Sequence, residues 1–478
     1  MRNFRIFLVL IVIISISCLG KTGKFDNIKD LAASTIVQDS AMSRAVRNYS
    51  NFCASCHYDD MSWFTKREWK YGKSENDIYT SIKTGYPDFG MLSYKNTFSE
   101  QDARDIAKYI HTKLELSKGE VGITNEDKNR ISTEKLNLRL DTVITGLDVP
   151  WGMAFLPDGD MLVNERAGKM IRFRNGKKIA EIQGLPGIHS VGQGGLLDIR
   201  LHPDYKNNGW IYFAYTTTST SISNGWNTAL MRAKLKDNTL IEKQLLFKAL
   251  PDTKTGHHVG CKITFDGKGH VFFGVGERGK QNNAQDLSND CGKIHRINED
   301  GTIPNDNPFF NQAGAQKTIW SYGHRNPQGL VYNAATGVLW ESEHGPKGGD
   351  ELNMIQPGKN YGWPVITFGI NYDGTIITKD TSKAGMEQPI TYWVPSIAPC
   401  GTTFVEGTKY KGWEGNVLVG SLRFRYLVRC EMAGNSVVHK EILLPNIGRM
   451  RNVEMSPDGY IYIAVESPGI IFKLVPVP

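Results

Sequence analysis

The stretch Ala154-Phe155-Leu156-Pro157-Asp158-Gly159-Asp160-Met161-Leu162-Val163 has the form of a strand, a tight turn and a second strand. Apolar residues flank a turn built from Pro, Asp and Gly, which is the pattern of a β-hairpin. Similar stretches recur at 201–204, 264–273, 331–340 and 455–462. Hairpins repeated in this way predict a β-propeller, in which radial stacking buries both faces of each small sheet.

The repeat spans residues 138–478 and, with allowance for long insertions, predicts about six blades of roughly four strands each. Long helical periodicity is absent from this part of the sequence, so we expect a domain that is almost entirely β. A β-sandwich is the alternative architecture, but a single sandwich rarely needs so many similar hairpins. We therefore predict an all-β, six-bladed propeller.

Upstream of the repeat, Cys53-Ala54-Ser55-Cys56-His57 has the spacing that covalent attachment of a c-type haem requires. Each cysteine thiol adds across one haem vinyl group, and the adjacent histidine binds the iron from the proximal side. Zinc is the alternative, but it needs a second pair of ligands at a suitable spacing, and none follows nearby. The motif therefore predicts a haem c held by Cys53, Cys56 and His57.

A helix is predicted after the haem motif, because Ser99 and Asp102 form a capping box. Five apolar residues then fall on one helical face, as packing over a haem requires: Ala103, Ile106, Ala107, Ile110 and Leu114. These features predict a small all-α cytochrome c domain at 38–117. Residues 118–137 are polar and charged, which is typical of a linker between domains.

The sixth iron ligand is expected to be Met91, which lies between the haem motif and the predicted helix. A thioether ligand raises the reduction potential and closes the iron to exchangeable ligands, as pure electron transfer needs. Met61 is too close in sequence to His57 to reach the opposite haem face, and His111 has no loop to deliver it. Ordinary packing is the alternative role for Met91, since methionine often fills gaps in cores.

An export signal is predicted at 1–18, where Arg2 and Arg5 precede an apolar run that is too short to span a bilayer. Haem attachment to paired cysteines also takes place outside the cytoplasm, so both features predict a periplasmic protein. Ser17 before Cys18 fits a lipoprotein cleavage site, whereas Ser15 does not. A lipid anchor at Cys18 and ordinary signal cleavage are therefore both open.

The net charge of +7 is spread along the chain without a dense basic run, which argues against nucleic-acid binding. Four further cysteines would lie in an oxidising compartment and could pair, but the sequence leaves the pairing open. They are Cys261, Cys291, Cys400 and Cys430.

Two polar segments of the propeller, at 322–329 and 343–351, carry more charged and amide groups than a turn needs. Arg423, Arg449 and Arg451 come from later blades, and alternation along a strand places Arg449 and Arg451 on the same side. Guanidinium groups pair with carboxylates through two parallel hydrogen bonds. A ring of arginines and amides at one end of the channel therefore suits a planar ligand with several negative charges.

Five motifs between about Leu147 and the C-terminus resemble, in the same order, those of the soluble pyrroloquinoline quinone (PQQ)-dependent aldose sugar dehydrogenases, the glucose/sorbosone dehydrogenase family. They are Val149-Pro150-Trp151-Gly152-Met153, Gly192-Gln193-Gly194-Gly195-Leu196-Leu197, Gly323-His324-Arg325-Asn326-Pro327-Gln328-Gly329, Asn360-Tyr361-Gly362-Trp363-Pro364 and Arg449-Met450-Arg451. One such motif is a weak signal, whereas five in order are specific. The resemblance implies a six-bladed propeller that binds PQQ.

The resemblance implies that His258 is the general base, which takes the proton of the sugar's anomeric hydroxyl as hydride moves to the quinone. Glu277 falls where the family places the carboxylate that orients this histidine, and several relatives have Asp there. Arg325 would stabilise negative charge on the quinone oxygen. His257 is the alternative base, but neighbouring residues of a strand face opposite sides, so only one of the two histidines can face the site. The residues implied to hold PQQ are Gln193, Asn326, His344, Arg423, Arg449 and Arg451.

Calcium is implied at two places by the same resemblance. The carbonyl oxygens of Gly345 and Pro346 would bind the ion that contacts PQQ, since a hard cation prefers oxygen ligands. Glu351 and the carbonyl of Tyr361 match a second, structural calcium site. Asp350 has two interpretations of equal weight, as a contact in the catalytic site or as a solvated loop acid.

The resemblance and the haem motif together imply a periplasmic quinohaemoprotein that oxidises an aldose to its lactone and passes the electrons from PQQ to haem c. An external acceptor, either a soluble cytochrome or a membrane respiratory chain, would then reoxidise the haem. A propeller that hydrolyses lactones or esters and a binding propeller without chemistry are the alternatives. The histidine–carboxylate pair together with the arginine ring argues against both.

Overall fold

The structure is a computed structural model that describes residues 41–49, 52–53, 57, 69, 71–86, 91, 93–116, 130–218 and 225–478. A small helical part precedes a ring of β-sheets. The predicted export signal at 1–18, with Cys18, lies outside the described residues, as do Cys56 and Met61. Among the helices described, none is long and apolar enough to cross a membrane.

The described N-terminal part is built mainly from a helical segment at 41–49, helix α1 (Glu75–Thr84) and helix α2 (Glu100–Leu116). Helix α2 begins where the sequence predicts, because Ser99 Oγ accepts a hydrogen bond from the backbone N–H of Asp102 at 3.1 Å. The Ser99 hydroxyl in turn donates to the Asp102 carboxylate at 2.7 Å. Each of the two residues thus provides a hydrogen-bond partner for the other at the first turn of the helix.

One face of α2 forms the core of this helical part. The predicted apolar residues are fully buried or packed against the core, namely Ala103, Ile106, Ala107, Ile110 and Leu114. Cys53 of the haem motif lies in the same cluster. The prediction of a helix packed beside the haem-attachment motif is therefore confirmed.

Six antiparallel sheets form the ring, and each sheet is one blade. Blade 1 comprises β3 (Pro150–Phe155), β4 (Met161–Glu165), β5 (Lys169–Arg174) and β6 (Lys177–Glu181). Blade 2 comprises β7 (Leu196–Leu201), β8 (Trp210–Thr218), β9 (Trp226–Lys236) and β10 (Thr239–Lys248). Blade 3 comprises β11 (Ile263–Phe265), β12 (His270–Val275), β13 (Lys293–Asn298) and β14 (Ile319–Tyr322). A short helix, α3 (Tyr205–Asn208), follows β7, and a 3₁₀ turn spans Gln281–Ala284.

Blades 4 to 6 complete the ring. Blade 4 comprises β15 (Pro327–Asn333), β16 (Val338–Glu343), β17 (Asp350–Ile355) and β18 (Thr391–Trp393). Blade 5 comprises β19 (Pro399–Phe404), β20 (Val417–Ser421), β21 (Leu427–Ala433) and β22 (Ser436–Leu443). Blade 6 comprises β23 (Met450–Met455), β24 (Ile461–Val465) and β25 (Ile470–Val477) together with β1 (Arg130–Ser132) and β2 (Asn137–Ile144). The first strand of each blade packs against the first strand of the next blade. Loops that enter these strands therefore meet around one channel.

The ring is closed by a strand from its N-terminal end. β2 pairs with β25 over its length, from Asn137 opposite Val477 to Ile144 opposite Ile471. Pairing the first strand of the ring with the last removes an open seam between them. The six-bladed all-β propeller is therefore confirmed.

The propeller begins earlier than the sequence predicts. Residues 118–137 are predicted as linker, but Arg130–Ser132 form β1 and pair with β2. The backbone N–H of Glu134 also donates to Glu441 Oε1 in blade 5 at 2.7 Å. Polar composition concealed these residues, because β1 lies at the outer edge of its sheet, where side chains meet solvent.

The cysteines whose pairing the sequence leaves open are buried and free in the structure. They are Cys261, Cys291, Cys400 and Cys430. Burial raises the pKa of the Cys261 and Cys430 thiols to about 12. These thiols therefore act as small apolar groups inside the blades.

Candidate active site

His258 is held in an unusual backbone conformation in the loop that leads into β11. Its φ is 48°, a left-handed value that is uncommon for a residue with a side chain and that is concentrated at functional sites. The backbone N–H of His258 donates to Gln193 Oε1 at 2.8 Å. Gly276 allows the next segment to approach, since a Cβ there would lie 2.3 Å from the His258 carbonyl oxygen. The backbone thus fixes where the imidazole lies.

The half-buried His258 pairs with the buried Glu277, with His258 Nδ1 2.7 Å from Glu277 Oε1. Burial, followed by the charge of Arg325, lowers the pKa of His258. Burial alone would raise the pKa of Glu277, but the charge and hydrogen bond of His258 outweigh it and lower that pKa. The histidine is therefore neutral and the glutamate ionised, so Nδ1–H donates to the carboxylate and Nε2 carries the lone pair.

His258 Nε2 has no hydrogen-bond partner within the part of the chain that the structure describes, so its lone pair is available to a substrate hydroxyl. This is the arrangement of a general base oriented by a carboxylate. Glu277 Oε2 is likewise without a described partner. The geometry thus places two residues that the resemblance singles out, His258 and Glu277, in direct contact.

His257 is placed differently from its neighbour. Its ring centroid lies 5.9 Å from that of His258, and the two planes are inclined by 53°. The His257 carbonyl accepts a hydrogen bond from Arg278 Nη1 at 2.5 Å, while its ring has no hydrogen-bond partner in the described chain. Burial lowers the pKa of His257 to about 4. Only His258 of this pair is oriented by a carboxylate.

Arg325 is positioned by Glu343, whose Oε2 accepts the backbone N–H of Arg325 at 2.5 Å. The Arg325 guanidinium reaches the loop after β16, where Nη1 donates to the carbonyls of His344 at 3.1 Å and Gly345 at 2.9 Å. These contacts bring the predicted electrostatic residue to the loop that is predicted to bind calcium. His344 already uses its ring, since Nε2 lies 2.8 Å from the Pro399 carbonyl oxygen.

Glu343 also positions Asn326, because the backbone N–H of Asn326 donates to Glu343 Oε2 at 3.2 Å. Its side-chain oxygen accepts from the backbone N–H of Gly260 and from Gln328 Nε2, both at 3.2 Å. Asn326 therefore ties the loop of His258 to the segment that contains Arg325. Gln328, to which the sequence motifs assign no role, is the link onward to the arginines of blade 6.

Arg449, Arg451 and Glu466 form what we call the arginine clamp. Glu466 Oε2 accepts from Arg449 Nε at 3.1 Å, and Oε1 accepts from Arg451 Nε at 2.6 Å. Arg451 Nη1 also donates to Gln328 Oε1 at 2.8 Å. Alternation along β23 predicts that both arginines face one side, and their shared carboxylate shows that they do.

Glu466 was not found by sequence reasoning, although it follows β24, the strand paired with β23. Burial alone would raise its pKa, but the charges of Arg451 and Arg449 lower the pKa of Glu466 to about 2. The carboxylate is only 8% exposed. A buried pair of arginines on one face requires a counter-charge, and that requirement is the signal that could have predicted an acid on the neighbouring strand.

Arg423 is linked to the arginine clamp through hydrogen bonds that arginine side chains donate to backbone carbonyl groups. Arg449 Nη1 donates to the carbonyl of Leu422, the residue before Arg423, at 3.3 Å. Arg423 Nη1 donates to the Ser396 carbonyl at 3.2 Å. The arginines of later blades thus converge with the segment of Arg325 at one end of the ring, as a cradle for a planar anion requires.

Asp350 organises the loop that contains Gly345 and Pro346. Its carboxylate accepts the backbone N–H groups of Gly345 at 2.8 Å and Ala398 at 2.8 Å, and the Ser396 hydroxyl. Asp350 is fully buried. Its interpretation as a solvated loop acid is therefore wrong, because every described contact of the carboxylate lies inside the protein.

Three carboxylates converge beside this loop, on the amide nitrogen of Asn353. Its Nδ2 lies 3.2 Å from Glu341, 3.5 Å from Glu343 and 3.1 Å from Glu351. Burial, followed by the charge of Glu343, raises the pKa of both Glu341 and Glu351 well above the ordinary range. Glu341 Oε1 and Asn353 Oδ1 are buried without a described partner. Oxygen atoms grouped in this way are the donors that a hard cation prefers.

Of the two predicted structural calcium ligands, Glu351 belongs to this carboxylate cluster, whereas Tyr361 is placed beside it only through its ring. Glu351 is one of the three acids, and the ring of Tyr361 stacks on His324 with 4.7 Å between centroids. Ligand atoms of His324, Glu341 and Glu343 all lie within 4.8 Å of one another. Sequence reasoning missed Glu341 and Glu343, although alternation along β16 places them on the same face.

The haem-motif residues that the structure describes are Cys53 and His57. They belong to one helical turn, since the backbone N–H of His57 donates to the Cys53 carbonyl at 2.9 Å. Burial, followed by the charge of Arg449, lowers the pKa of His57 to about 4. Met91 is bridged to Tyr86 by two backbone hydrogen bonds of 2.7 and 3.1 Å, and its role as the sixth ligand stays a prediction.

Comparison with protein families gives two matches. A profile described as Glucose / Sorbosone dehydrogenase matches residues 147–473. A profile described as Cytochrome C oxidase, cbb3-type, subunit III matches residues 40–110. The chain is also 40% identical over 338 residues to the aldose sugar dehydrogenase YliI of Escherichia coli (strain K12), covering 69% of this chain and 91% of that protein.

Solved structures resemble the propeller closely. The apo form of the soluble aldose sugar dehydrogenase from Escherichia coli aligns with a TM-score of 0.68 and 36% identity, covering 71% of this chain and 100% of that one. The PQQ-bound form of the aldose sugar dehydrogenase from Streptomyces coelicolor aligns with a TM-score of 0.59 and 30% identity, covering 71% and 98% respectively. Both alignments span the whole propeller of the solved structure, so the likeness extends over all six blades.

Proposed function

The chain belongs to the glucose/sorbosone dehydrogenase family of oxidoreductases, and we propose that it is a periplasmic quinohaemoprotein that oxidises aldose sugars to lactones. In this proposal PQQ in the propeller takes the electrons from the sugar, and haem c on the N-terminal domain receives them. The observation that carries the proposal is the hydrogen-bonded pair of His258 and the buried Glu277 beside Arg325.

The residues around this pair fit a flat tricarboxylate. Guanidinium and amide donors from several blades meet at one end of the ring, and Glu466 holds both guanidinium groups of the arginine clamp. The residues proposed to hold the cofactor are Gln193, Asn326, His344, Arg423, Arg449 and Arg451. PQQ, when bound here, supplies a quinone that accepts hydride from the anomeric carbon of the sugar.

Each catalytic residue then has one task. His258 Nε2 takes the proton of the anomeric hydroxyl, while Glu277 holds the imidazole in the required tautomer and stabilises the cation that forms. Arg325 places a positive charge where negative charge develops on the cofactor oxygen. The neutral state of His258 at neutral pH supports this assignment, because a protonated imidazole could not accept the proton.

Cys53 and Cys56 would hold the haem covalently, with His57 and Met91 as the iron ligands, and the haem would supply an acceptor of single electrons. Fusion of the two domains makes this transfer intramolecular and raises the effective concentration of the acceptor. We propose a soluble cytochrome or the membrane respiratory chain as the external acceptor. Mass spectrometry of the mature N-terminus would distinguish a lipid on Cys18 from ordinary cleavage of the export signal.

The proposed function predicts that an aldose reduces the haem of the full-length protein once PQQ and Ca²⁺ are supplied. Purified protein would be mixed with a panel of sugars, and both haem absorbance and an added dye would be followed. Reduction by aldoses that depends on PQQ is the expected result. Hydrolysis of a lactone without any quinone, and no reduction by any aldose, would instead support the rival lactonase.

Calcium is proposed at the Gly345 and Pro346 carbonyls and at the site of Glu351 and Tyr361. The carboxylate cluster fits the second site because a divalent cation relieves repulsion among three closely spaced acids. We predict that removing calcium with a chelator lowers the melting temperature. A ligand present at about 100 times its Kd contributes about 2.7 kcal/mol to the free energy of unfolding.

The calcium prediction has a matched pair of variants. Glu341→Gln removes one acid of the cluster and should make the melting temperature less sensitive to the chelator. Glu181→Gln, which loses an exposed ion pair with Lys178 in blade 1, should keep the sensitivity of the wild type. A melting temperature that does not change with calcium in the wild-type protein would contradict the proposal.

A further inference from the structure

The helical part and the propeller touch at a lysine and a phenylalanine. Lys347 Nζ lies 3.9 Å from the centroid of the Phe52 ring. Phe52 directly precedes Cys53, and Lys347 directly follows Pro346. Consecutive Cα atoms are about 3.8 Å apart, so this contact joins a haem-attachment residue to a predicted calcium-binding residue over a very short path.

Phe52 is anchored in the core of the helical part. Its ring packs edge-on against Phe98 and Tyr94, with centroid distances of 5.0 and 6.2 Å. The Tyr94 hydroxyl donates to the Phe52 carbonyl at 2.9 Å. The Phe52 ring is therefore a fixed feature of this part, and Lys347 contacts it in a defined orientation.

Lys347 is anchored on the propeller side. Its backbone N–H donates to the Ile370 carbonyl at 3.2 Å, and its own carbonyl accepts from Ser396 N–H at 3.3 Å. The side chain is half-buried, and a cation over an aromatic ring interacts more strongly when water is excluded. Both sides of the contact are thus held by their own domains, as a docking contact requires.

We propose that Phe52 on Lys347 is the docking contact that seats the haem-attachment edge of the cytochrome domain on the cofactor loop of the propeller, so that electrons cross there directly. The inference rests on the proposed function and adds the surface and the residues through which the transfer occurs. Neither residue is a ligand of a cofactor, and both act by positioning.

The electron balance fixes how often the contact is used. Oxidation of one aldose to its lactone releases two electrons and two protons. The haem iron accepts one electron at a time, going from Fe(III) to Fe(II), and the external acceptor removes it before the second crosses. Both protons leave to water. Two crossings per sugar at one docked interface therefore complete the reaction.

Stopped-flow measurement of haem reduction by an aldose tests the proposal in the full-length protein loaded with haem, PQQ and Ca²⁺. In the wild type, the rate constant should not depend on protein concentration. Lys347→Glu and Phe52→Ala should each slow haem reduction about tenfold, while reduction of a small dye by the same sugar changes less than about twofold. Lys347→Glu changes only the propeller and leaves the haem domain intact. The proposal therefore stays testable if Phe52→Ala perturbs the folding of the haem domain.

Lys317→Glu is the matched control, since Lys317 Nζ lies 4.8 Å from the Phe310 ring centroid within the propeller. It should change neither rate. Hydrogen exchange of residues 344–350, measured without sugar or PQQ, gives an independent readout and should be faster in Phe52→Ala than in the wild type.

The outcomes separate the two proposals. Unchanged haem reduction in both variants, or unchanged exchange in the loop, would overturn the docking contact. Loss of dye reduction in the wild type would instead overturn the proposed function, while the exchange measurement would still report on the docking.

Discussion

His258→Ala is expected to lower sugar-driven reduction of dye and haem by about 10²–10⁴-fold, the usual contribution of a positioned general base. PQQ should remain bound, because the described hydrogen bond of the His258 ring is with Glu277 and not with the arginine clamp. Activity would be measured with saturating aldose, and PQQ binding by equilibrium dialysis. The expected pattern is a loss of kcat with an almost unchanged Kd for the cofactor.

His257→Ala is the matched control for this prediction. It removes a neighbouring histidine of the same loop whose ring lacks a carboxylate partner in the described chain, so activity should stay within about threefold of the wild type. Full activity in His258→Ala, or a loss confined to His257→Ala, would remove His258 from the mechanism. A loss of PQQ binding in His258→Ala would give that histidine a structural role instead.

Glu466→Gln is expected to lower the free energy of unfolding of the PQQ-free protein by about 3–5 kcal/mol. The substitution leaves the buried Arg449 and the half-buried Arg451 of the clamp without their shared carboxylate. Because PQQ is itself an anion, the loss should be smaller with the cofactor bound. Urea unfolding with and without PQQ would measure both effects.

The same residue predicts a dependence on pH. The arginines lower the pKa of Glu466 from its ordinary 4.5 to about 2. Its stabilising contribution is therefore complete above about pH 4.5 and is lost as the pH falls towards 2, a change of about 3 kcal/mol. The difference in stability between wild type and Glu466→Gln should be constant near neutral pH and shrink below pH 4.5.

Glu181→Gln again serves as the control, because its ion pair with Lys178 is exposed and should contribute less than about 1 kcal/mol. An equal effect of the two substitutions, or a wild-type advantage that persists unchanged at pH 2, would show that the clamp is not held by the Glu466 charge.

The architecture could be predicted from local pattern. The hairpin at 154–163 and its repeats specify strands and turns through neighbours in sequence, so the residue pattern alone was enough to predict six blades. The capping box of Ser99 and Asp102 likewise fixes the start of α2. The linker prediction failed at Arg130–Ser132, because a polar edge strand differs from a loop only in having a partner, and that partner is β2.

The residues of the candidate active site show the same division between what the residue pattern predicts and what requires the folded structure. His258, Glu277 and Arg325 lie in motifs, so their identity could be inferred from sequence order, but the 2.7 Å contact between His258 and Glu277 required the fold. Asp350 shows most clearly that composition does not predict burial. Its segment has the polar composition of a solvated loop, and yet the acid is fully buried.

The residue pattern of this chain is enough to specify a haem-attachment motif, a propeller and the side chains that would do chemistry, because each of these depends on spacing along one segment. Folding added the groups that hold those side chains in place: Glu466 between two arginines, Glu343 under the Arg325 backbone, and Lys347 against Phe52. Glu466 and Glu343 come from the neighbouring strand of the same blade, and Lys347 and Phe52 come from different domains. Their pairing depends on strand register and on the contact between domains, which the order of residues along the chain does not encode locally.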